Sequence, residues 1–226
     1  MKIGILQTGR APEALMEQTG DYDALFRDLL SGHGFDFVTY AVLDGEFPAS
    51  AEDADAWLIT GSRHGVYEDH DWIPPLEDLI RTIDAHRMPL VGVCFGHQII
   101  AQALGGKVEK FQAGWSIGAT EYDRCGTPLV LNAWHQDQIV RRPARASVAA
   151  SSAFCENAVL TYGDHIWTVQ AHPEFTADFI DGLIRIRGRG LVPDALLDAA
   201  TDRLTRPTDN NHIAEEIAAF FKKPRP

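Results

Sequence analysis

Residues 89–106 read Pro-Leu-Val-Gly-Val-Cys-Phe-Gly-His-Gln-Ile-Ile-Ala-Gln-Ala-Leu-Gly-Gly, and their pattern changes in the middle. A short apolar run before Cys94 predicts a strand, and apolar residues at helical spacing after it predict a helix that stops at Gly105. Gly92 and Gly96 flank Cys94 two residues away on either side. This spacing is typical of a strained strand-to-helix turn that presents a nucleophile. A thiol there faces the positive end of the helix dipole, which favours the reactive thiolate.

A histidine and a carboxylate later in the chain could serve Cys94 as base and orienting group. Gln170-Ala-His-Pro-Glu174 follows a β-rich run and precedes a helical pattern. In extended backbone, residues two apart project to the same side, and proline biases the residue before it toward extended geometry. His172 and Glu174 should therefore point the same way, so that the carboxylate fixes one imidazole tautomer. Taken alone, Glu174 could be a helix-start carboxylate, and Cys94 could be core filling.

Strand and helix patterns alternate through the first half of the chain. The predicted strands cover Lys2–Thr8, Phe35–Val42, Ala56–Thr60 and Leu90–Val93. The helices predicted between them run from Tyr22 to Gly32 and from Pro74 to Ile83. Such alternation predicts right-handed crossovers and a mostly parallel sheet with helices on both faces. Ligands of such sheets bind beyond the carboxyl ends of the strands, where Cys94 and the 61–67 loop both fall.

From about Lys107 the pattern changes to short strands separated by turns. These predicted strands are Lys107–Phe111, Trp115–Tyr122, Leu129–Leu131, Ser147–Ala150, Val159–Tyr162 and Ile166–Gln170. The helices predicted after them are Phe175–Ile186, Asp194–Leu204 and Asn211–Phe221. We therefore predict an α/β fold, with a central mostly parallel sheet flanked by helices and an antiparallel β addition in the second half.

Length and composition narrow the class of protein further. A chain of 226 residues with 45% hydrophobic content predicts a single domain over residues 1–226. The sequence contains no apolar run long enough to span a membrane, and its N-terminus predicts a strand rather than a signal peptide, so we expect a cytoplasmic protein. Three widely spaced cysteines argue against a disulfide framework or a zinc knuckle.

The charge distribution disfavours two classes of partner. A net charge of −12 repels nucleic acid and anionic membranes. Two small arginine groups, within 141–145 and 185–189, are predicted to be solvated faces, with a docking patch as the alternative. No phosphate-binding or dinucleotide motif occurs, so we expect no cofactor.

The sequence resembles the class I, or triad, glutamine amidotransferases, in particular the glutaminase domain of GMP synthetase and its stand-alone relatives. The matching segments are Gly92–Gln98 with Gly105-Gly106, the Thr60-Gly61-Ser62 loop, Trp134-His135-Gln136-Asp137, and His172-Pro173-Glu174. They cover most of the chain in the order and spacing of the family. The resemblance is therefore specific for fold and triad, and less specific for substrate.

The resemblance implies a Cys94-His172-Glu174 triad that attacks the side-chain amide of glutamine and forms a γ-glutamyl thioester. It implies that the oxyanion is bound by the backbone N–H groups of Phe95 and Ser62. By the same resemblance, the substrate pocket is expected to include Gly61, Gln98, Trp134 and His135. It implies no metal.

Two positions depart from the family pattern. Gly61-Ser62-Arg63 stands where relatives often have Gly-Gly-Pro, and serine orients its amide less freely than glycine. This predicts an oxyanion hole that is not preformed, and hence slow hydrolysis of glutamine by the chain alone. Gln136 stands where glycine is frequent, and we expect it to reshape the glutamine pocket.

Three other motifs offer competing interpretations. Gly114-Trp-Ser116-Ile-Gly118 matches the serine-hydrolase elbow, but the residues after it predict a strand rather than the required helix. Cys94 and His97 have a possible metal-ligand spacing, without a second pair to complete a site. His135 with Asp137 could form a second catalytic base, although a pocket wall is the favoured role.

Three functions are compatible with these motifs. The first is a glutaminase that passes ammonia to a separate synthetase partner, because the sequence contains no ATP-binding synthetase domain. The second is a hydrolase or transferase of γ-glutamyl peptides or conjugates, which uses the same thioester chemistry with a different leaving group. The third, a non-catalytic binding protein, is disfavoured because all three triad positions are intact.

Overall fold

The computed structural model describes residues 1–224, which form eleven strands and seven α-helices. The strands are β1 (Lys2–Leu6), β2 (Asp36–Tyr40), β3 (Ala56–Ile59), β4 (Leu90–Val93), β5 (Lys107–Lys110), β6 (Ser116–Arg124), β7 (Thr127–His135), β8 (Asp137–Arg141), β9 (Ala146–Ala150), β10 (Val159–Tyr162) and β11 (Ile166–Val169). The helices are α1 (Glu13–Thr19), α2 (Tyr22–Leu29), α3 (Ile73–Ala85), α4 (Phe95–Ala103), α5 (Ala177–Leu183), α6 (Asp194–Thr201) and α7 (Asn210–Lys222).

A seven-stranded sheet has the order β2-β1-β3-β4-β11-β10-β9. Its first five strands are parallel to their neighbours, and β10 and β9 continue the sheet in antiparallel fashion. Two antiparallel pairs, β5 with β8 and β6 with β7, lie outside this sheet. The predicted α/β class, with a mostly parallel sheet and an antiparallel addition in the second half, is confirmed.

Each face of the sheet is covered by helices whose apolar stripes are buried. On one face, Leu76 and Ile80 of α3 and Ile99 of α4 belong to a single core cluster. On the other face, Phe26 of α2 and Ile217 of α7 belong to a second cluster. Because both faces are covered, the four residues of β4 and of β11 are all buried. This leaves the strand ends as the part of the sheet that a ligand can reach.

Some predicted boundaries are wrong. The strand predicted at Leu129–Leu131 runs from Thr127 to His135, because its whole length pairs with β6. The helix predicted at Phe175–Ile186 begins at Ala177 and gives way to a π-helical turn at Ile184–Gly188. Helix α1 was not predicted, since Leu15 is its one buried residue and its sequence shows no apolar stripe.

Two further predictions concern motifs and membranes. Ser116 begins strand β6 and pairs with His135, so the serine-elbow motif does not lead into a helix. Within residues 1–224, no helix combines the length and the apolar character that crossing a bilayer requires.

Candidate active site

Cys94 lies at the turn between β4 and α4 in a strained backbone conformation, with φ 53° and ψ −103°. Its N–H donates to the Val169 carbonyl at 2.9 Å, and its carbonyl accepts from the Gln98 N–H at 3.0 Å. A Cβ added to Gly96 would lie 2.3 Å from the Ile59 carbonyl oxygen, so no side chain fits there. Gly96, two residues after Cys94, therefore allows α4 to pack directly against β3, and this packing fixes the turn.

His172 and Glu174 follow β11 and form a buried hydrogen-bonded pair. His172 Nδ1 lies 2.7 Å from Glu174 Oε1, and the two side chains are 5% and 1% exposed. The imidazole stacks on the Phe175 ring with 3.9 Å between centroids and 2° between planes. The backbone N–H of His172 also donates to the Asn132 carbonyl at 2.8 Å, which connects this segment to β7. The position of the imidazole is thus fixed by the Phe175 ring, by the Glu174 carboxylate and by the backbone hydrogen bond to Asn132.

The charges around His172 favour its protonated form. Burial lowers the pKa of His172, but the negative charges of Glu174 and Cys94 and their hydrogen bonds to the ring raise it to about 10. Both Cys94 and Glu174 therefore act on the same imidazole ring. An imidazolium flanked by these two groups is the charge arrangement of a cysteine nucleophile with its base.

The loop after β3 lies against both groups. A Cβ added to Gly61 would lie 3.0 Å from His172 Cε1 and 3.7 Å from Cys94 Cβ. The hydroxyl groups of Thr8 and Thr60 each lie 3.1 Å from the Gly61 carbonyl oxygen. A trans peptide directs its N–H opposite to its carbonyl, so these two threonines also fix the direction of the Ser62 N–H.

A cavity of about 220 Å³ opens over Cys94 and His172. Four other residues predicted from the sequence line it: Ser62, Gln98, Trp134 and His135. Gln136 lines it as well, as its unusual position in the motif predicts. Phe95, Gly61 and Glu174 lie behind this surface: Phe95 is 1% exposed, Gly61 is buried, and Glu174 contacts the cavity through His172.

His135 forms part of the cavity wall and does not pair with the Asp137 carboxylate. Its Nδ1 lies 3.3 Å from the backbone carbonyl of Asp137, whose carboxylate instead accepts from the Tyr67 hydroxyl at 3.0 Å. Burial and the nearby charge of His172 lower the pKa of His135 to about 3. A ring of such low pKa, with no carboxylate to orient it, is a weak proton acceptor, which favours the wall role over the second-base interpretation.

Two histidine groups have side chains of the type that ligates metals. His97 Nδ1 lies 2.7 Å from the Thr168 hydroxyl in a fully buried position, so its interaction is with the sheet rather than with a shared ion at Cys94. At the cavity mouth, ligand atoms of His64, Glu68 and His70 all lie within 4.8 Å of one another. Hydrogen-bond distances of 3.1 and 2.8 Å from the two rings to one Glu68 oxygen already account for this cluster.

Several cavity residues were missed by sequence reasoning. Tyr22, Lys110, Trp115 and Arg187 all line the cavity. The prediction that the arginines of 185–189 form a solvated face is wrong for Arg187, which is half-buried on the π-helical turn. In the sequence, Trp115 is part only of the serine motif and Arg187 only of an arginine group, and no motif marks Tyr22 or Lys110.

The fold and the site define an α/β protein with a cysteine elbow and a histidine–glutamate pair at adjoining strand ends. The chain belongs to the class I glutamine amidotransferase family, whose sequence profile matches residues 38–181. Members of this family are hydrolytic enzymes.

Relatives of different function are found among the similar proteins. Gamma-glutamyl peptidase 4 of Arabidopsis thaliana is 28% identical, over 92% of this chain and 89% of its own length. One subunit of the glutamine-hydrolyzing GMP synthase of Sulfolobus acidocaldarius is 27% identical, over 77% of this chain and 89% of its own. A glutamine amido transferase from Methylobacillus flagellatus has the same fold, with a TM-score of 0.75 at 23% identity and coverage of 97% of this chain and 93% of that structure.

Proposed function

We propose that the protein hydrolyses the γ-glutamyl amide bond of peptides or conjugates through a thioester on Cys94. The observation that carries this proposal is the buried His172–Glu174 pair, 2.7 Å apart, whose imidazole lines the same cavity as a cysteine at a strained elbow. A core cysteine has no need of a buried imidazole held by a buried carboxylate. The arrangement serves a nucleophile, a proton carrier and its orienting group.

The reaction proceeds in two halves. The Cys94 thiolate attacks the γ-carbonyl carbon, the C–N bond breaks, and the His172 imidazolium gives its proton to the departing amine. This leaves a γ-glutamyl thioester and a neutral imidazole, which then takes a proton from an attacking water. The C–S bond breaks, glutamate leaves, and the thiolate and imidazolium are restored. Glu174 stays ionised and holds the ring in one orientation throughout.

Two backbone N–H groups are proposed to stabilise the negative oxygen of each tetrahedral intermediate. Phe95 supplies the first at the N-terminus of α4, and Ser62 supplies the second. The support for Ser62 is the anchoring of the Gly61 carbonyl by Thr8 and Thr60, which directs the Ser62 N–H away from those hydroxyls. A fixed donor is worth roughly 10²–10³ in rate. A donor that is already in place favours an enzyme that turns over without a partner. The Gly61-Ser62-Arg63 sequence had instead predicted an oxyanion hole that is not preformed.

The leaving group is proposed to be larger than ammonia. The aromatic and cationic lining of the cavity, including Trp115, Trp134 and Arg187, supports this choice, since ammonia needs no such surface. The similarity to a γ-glutamyl peptidase over 92% of the chain also supports it. A glutaminase that supplies a separate synthetase is the second candidate, and it is supported by the similarity to one component of a GMP synthase.

The test is steady-state hydrolysis of a γ-glutamyl dipeptide and of glutamine by the isolated protein, read by glutamate release. We expect a higher kcat/KM for the dipeptide. Cys94→Ala should lower it by about 10⁴-fold or more, whereas Cys125→Ser, at an exposed thiol outside the cavity lining, should not. Turnover of glutamine with none of the dipeptide would instead support the glutaminase candidate.

A further inference from the structure

Arg187 lies on an irregular turn that changes the direction of its side chain. Helix α5 ends at Leu183, and the π-helical turn Ile184–Gly188 continues it. An extra residue in a helical turn rotates everything after it by about 100° relative to an α-helix. Within this turn Arg185 and Ile186 are exposed, whereas Arg187 is half-buried and lines the cavity above Cys94. Such turns are rare and occur frequently at functional sites.

The guanidinium of Arg187 has no carboxylate partner in the part of the chain that the structure describes. Its neighbours are paired, because Arg185 contacts Asp181 at 2.6 Å and Arg189 contacts Asp194 at 2.7 Å. No aspartate or glutamate within residues 1–224 lies within 4.0 Å of Arg187. A partly buried cation without an anion loses hydration without compensation, so an anionic ligand at this position would be bound favourably.

The position of Arg187 relative to the triad follows from its contacts. Burial raises the pKa of the Tyr22 hydroxyl and the nearby charge of Arg187 lowers it, so the two side chains, which both line the cavity, lie close together. The Tyr22 ring lies 6.0 Å from that of Phe175, and Phe175 stacks on His172 at 3.9 Å. The rings of Tyr22 and Phe175 therefore lie between Arg187 and the proposed base, which protonates the leaving amine in the proposed reaction.

The surroundings of Arg187 are apolar. Trp115 and Trp134 pack against the same core cluster as Tyr22 and Phe175, and both also line the cavity. The other two cations of the lining differ from Arg187, because Arg63 and Lys110 are exposed, and the charge of Lys110 acts on Asp137. One half-buried guanidinium among aromatic rings matches a ligand with an apolar body and a single carboxylate.

We propose that Arg187 binds the free carboxylate of the leaving amino acid of a γ-glutamyl peptide whose side chain is apolar or aromatic. This inference rests on the proposed γ-glutamyl hydrolase function and specifies its substrate class. Glutamine releases ammonia and carries no carboxylate on the leaving side. Arg187 thereby selects peptides over glutamine without taking part in the chemistry.

The experiment compares three substrates in the full-length protein: γ-glutamyl-leucine, its C-terminal amide, and glutamine. In Arg187→Gln, kcat/KM for γ-glutamyl-leucine should fall by about 10- to 100-fold, as expected for the loss of a charge-assisted pair. The values for the amide and for glutamine should change by less than about 2-fold, which also shows that the variant is folded. Arg185→Gln, two residues away and exposed, is the matched control and should leave all three values unchanged.

Each other outcome overturns the inference in a recognisable way. An equal loss on all three substrates would assign Arg187 to the glutamyl carboxylate instead. No loss on γ-glutamyl-leucine would remove any role in its recognition while leaving the hydrolase function standing. Wild-type protein that cleaves only glutamine would overturn the proposed function and this inference together. If Arg187→Gln fails to fold, the wild type still decides, since it should prefer the acid over its amide by about 10-fold or more.

Discussion

His172 combines three constraints that rarely coincide on one side chain. It is buried, it shares a 2.7 Å hydrogen bond with a buried carboxylate, and it stacks in parallel on Phe175. Burial alone would make the ring neutral, as it does for His135 in the same cavity wall. The two histidines differ because His172 faces Glu174 and Cys94, whereas His135 faces a backbone carbonyl. The proton is thus kept on the ring that the proposed mechanism uses.

The contribution of Cys94 to this charge balance can be measured. Cys94→Ala removes one of the two groups that raise the pKa of His172, so this pKa should fall below its value of about 10. The measurement is a pH titration of the imidazole resonances by NMR. Cys125→Ser, at the exposed thiol, should leave that titration unchanged. An unaltered His172 titration in Cys94→Ala would mean that the thiol carries no charge next to the ring.

Individual site residues can be predicted from the sequence where the spacing between residues determines the direction of their side chains. His172 and Glu174 could be paired because they lie two apart in extended backbone before a helix. Cys94 could be placed because its flanking glycines specify a tight turn. Arg187 could not be placed, since a π-helical turn leaves no signature in the sequence and since Tyr22, on whose hydroxyl its charge acts, comes from a helix far away in the chain.

The elbow is the element on which the site depends most. Helix α4 packs so closely on β3 that the Gly96 N–H donates to the Thr60 carbonyl at 3.2 Å. A Cβ added to Gly92 would lie 2.6 Å from the Gly96 carbonyl oxygen, so the backbone of Gly96 leaves no room for a side chain at position 92. Backbone atoms surround both positions, and these cannot move aside as a flexible side chain can.

Gly96→Ala should therefore destabilise the protein strongly. Its Cβ would lie 2.3 Å from the Ile59 carbonyl oxygen, and overpacking of this kind costs about 3 kcal/mol. Gly126→Ala is the control, because it has open space around it and strains only a left-handed backbone, at a cost of about 1 kcal/mol. Urea denaturation gives both free energies of unfolding. Equal losses for the two variants would show that the elbow can relax around a methyl group.

Helices and strands with a clear apolar period could be predicted from the sequence. Strands whose geometry depends on pairing with another strand could not. The parallel strands and helices α2, α3 and α7 follow from apolar spacing. Strand β8 was missed because Asp137–Arg141 has only two apolar residues, and its strand geometry comes from pairing with β5. Trp134 and His135 likewise lie outside the predicted strand, and they are extended because they pair with β6.

At the scale of the whole molecule, the sheet order assembles the site. Strands β3, β4 and β11 are neighbours, and they are followed in turn by Gly61, Cys94 and His172. Their parallel direction brings three loops from distant parts of the sequence to one edge. The cavity at this edge is lined by three cations, Arg63, Lys110 and Arg187, and by two carboxylates, Glu68 and Asp137, in a protein of net charge −12. Its lining is therefore less acidic than the protein as a whole, which favours an anionic substrate.

The proposed mechanism depends on a γ-glutamyl thioester on Cys94, and this intermediate can be trapped. The protein is mixed with a γ-glutamyl dipeptide, quenched in acid within the first turnover, digested and mapped by mass spectrometry. We expect a γ-glutamyl group on the peptide that contains Cys94, and none on the peptides of Cys125 or Cys155. The adduct should be absent from Cys94→Ala. Dipeptide turnover that persists undiminished in Cys94→Ala, or an adduct mapped to another residue, would contradict a thioester mechanism on Cys94.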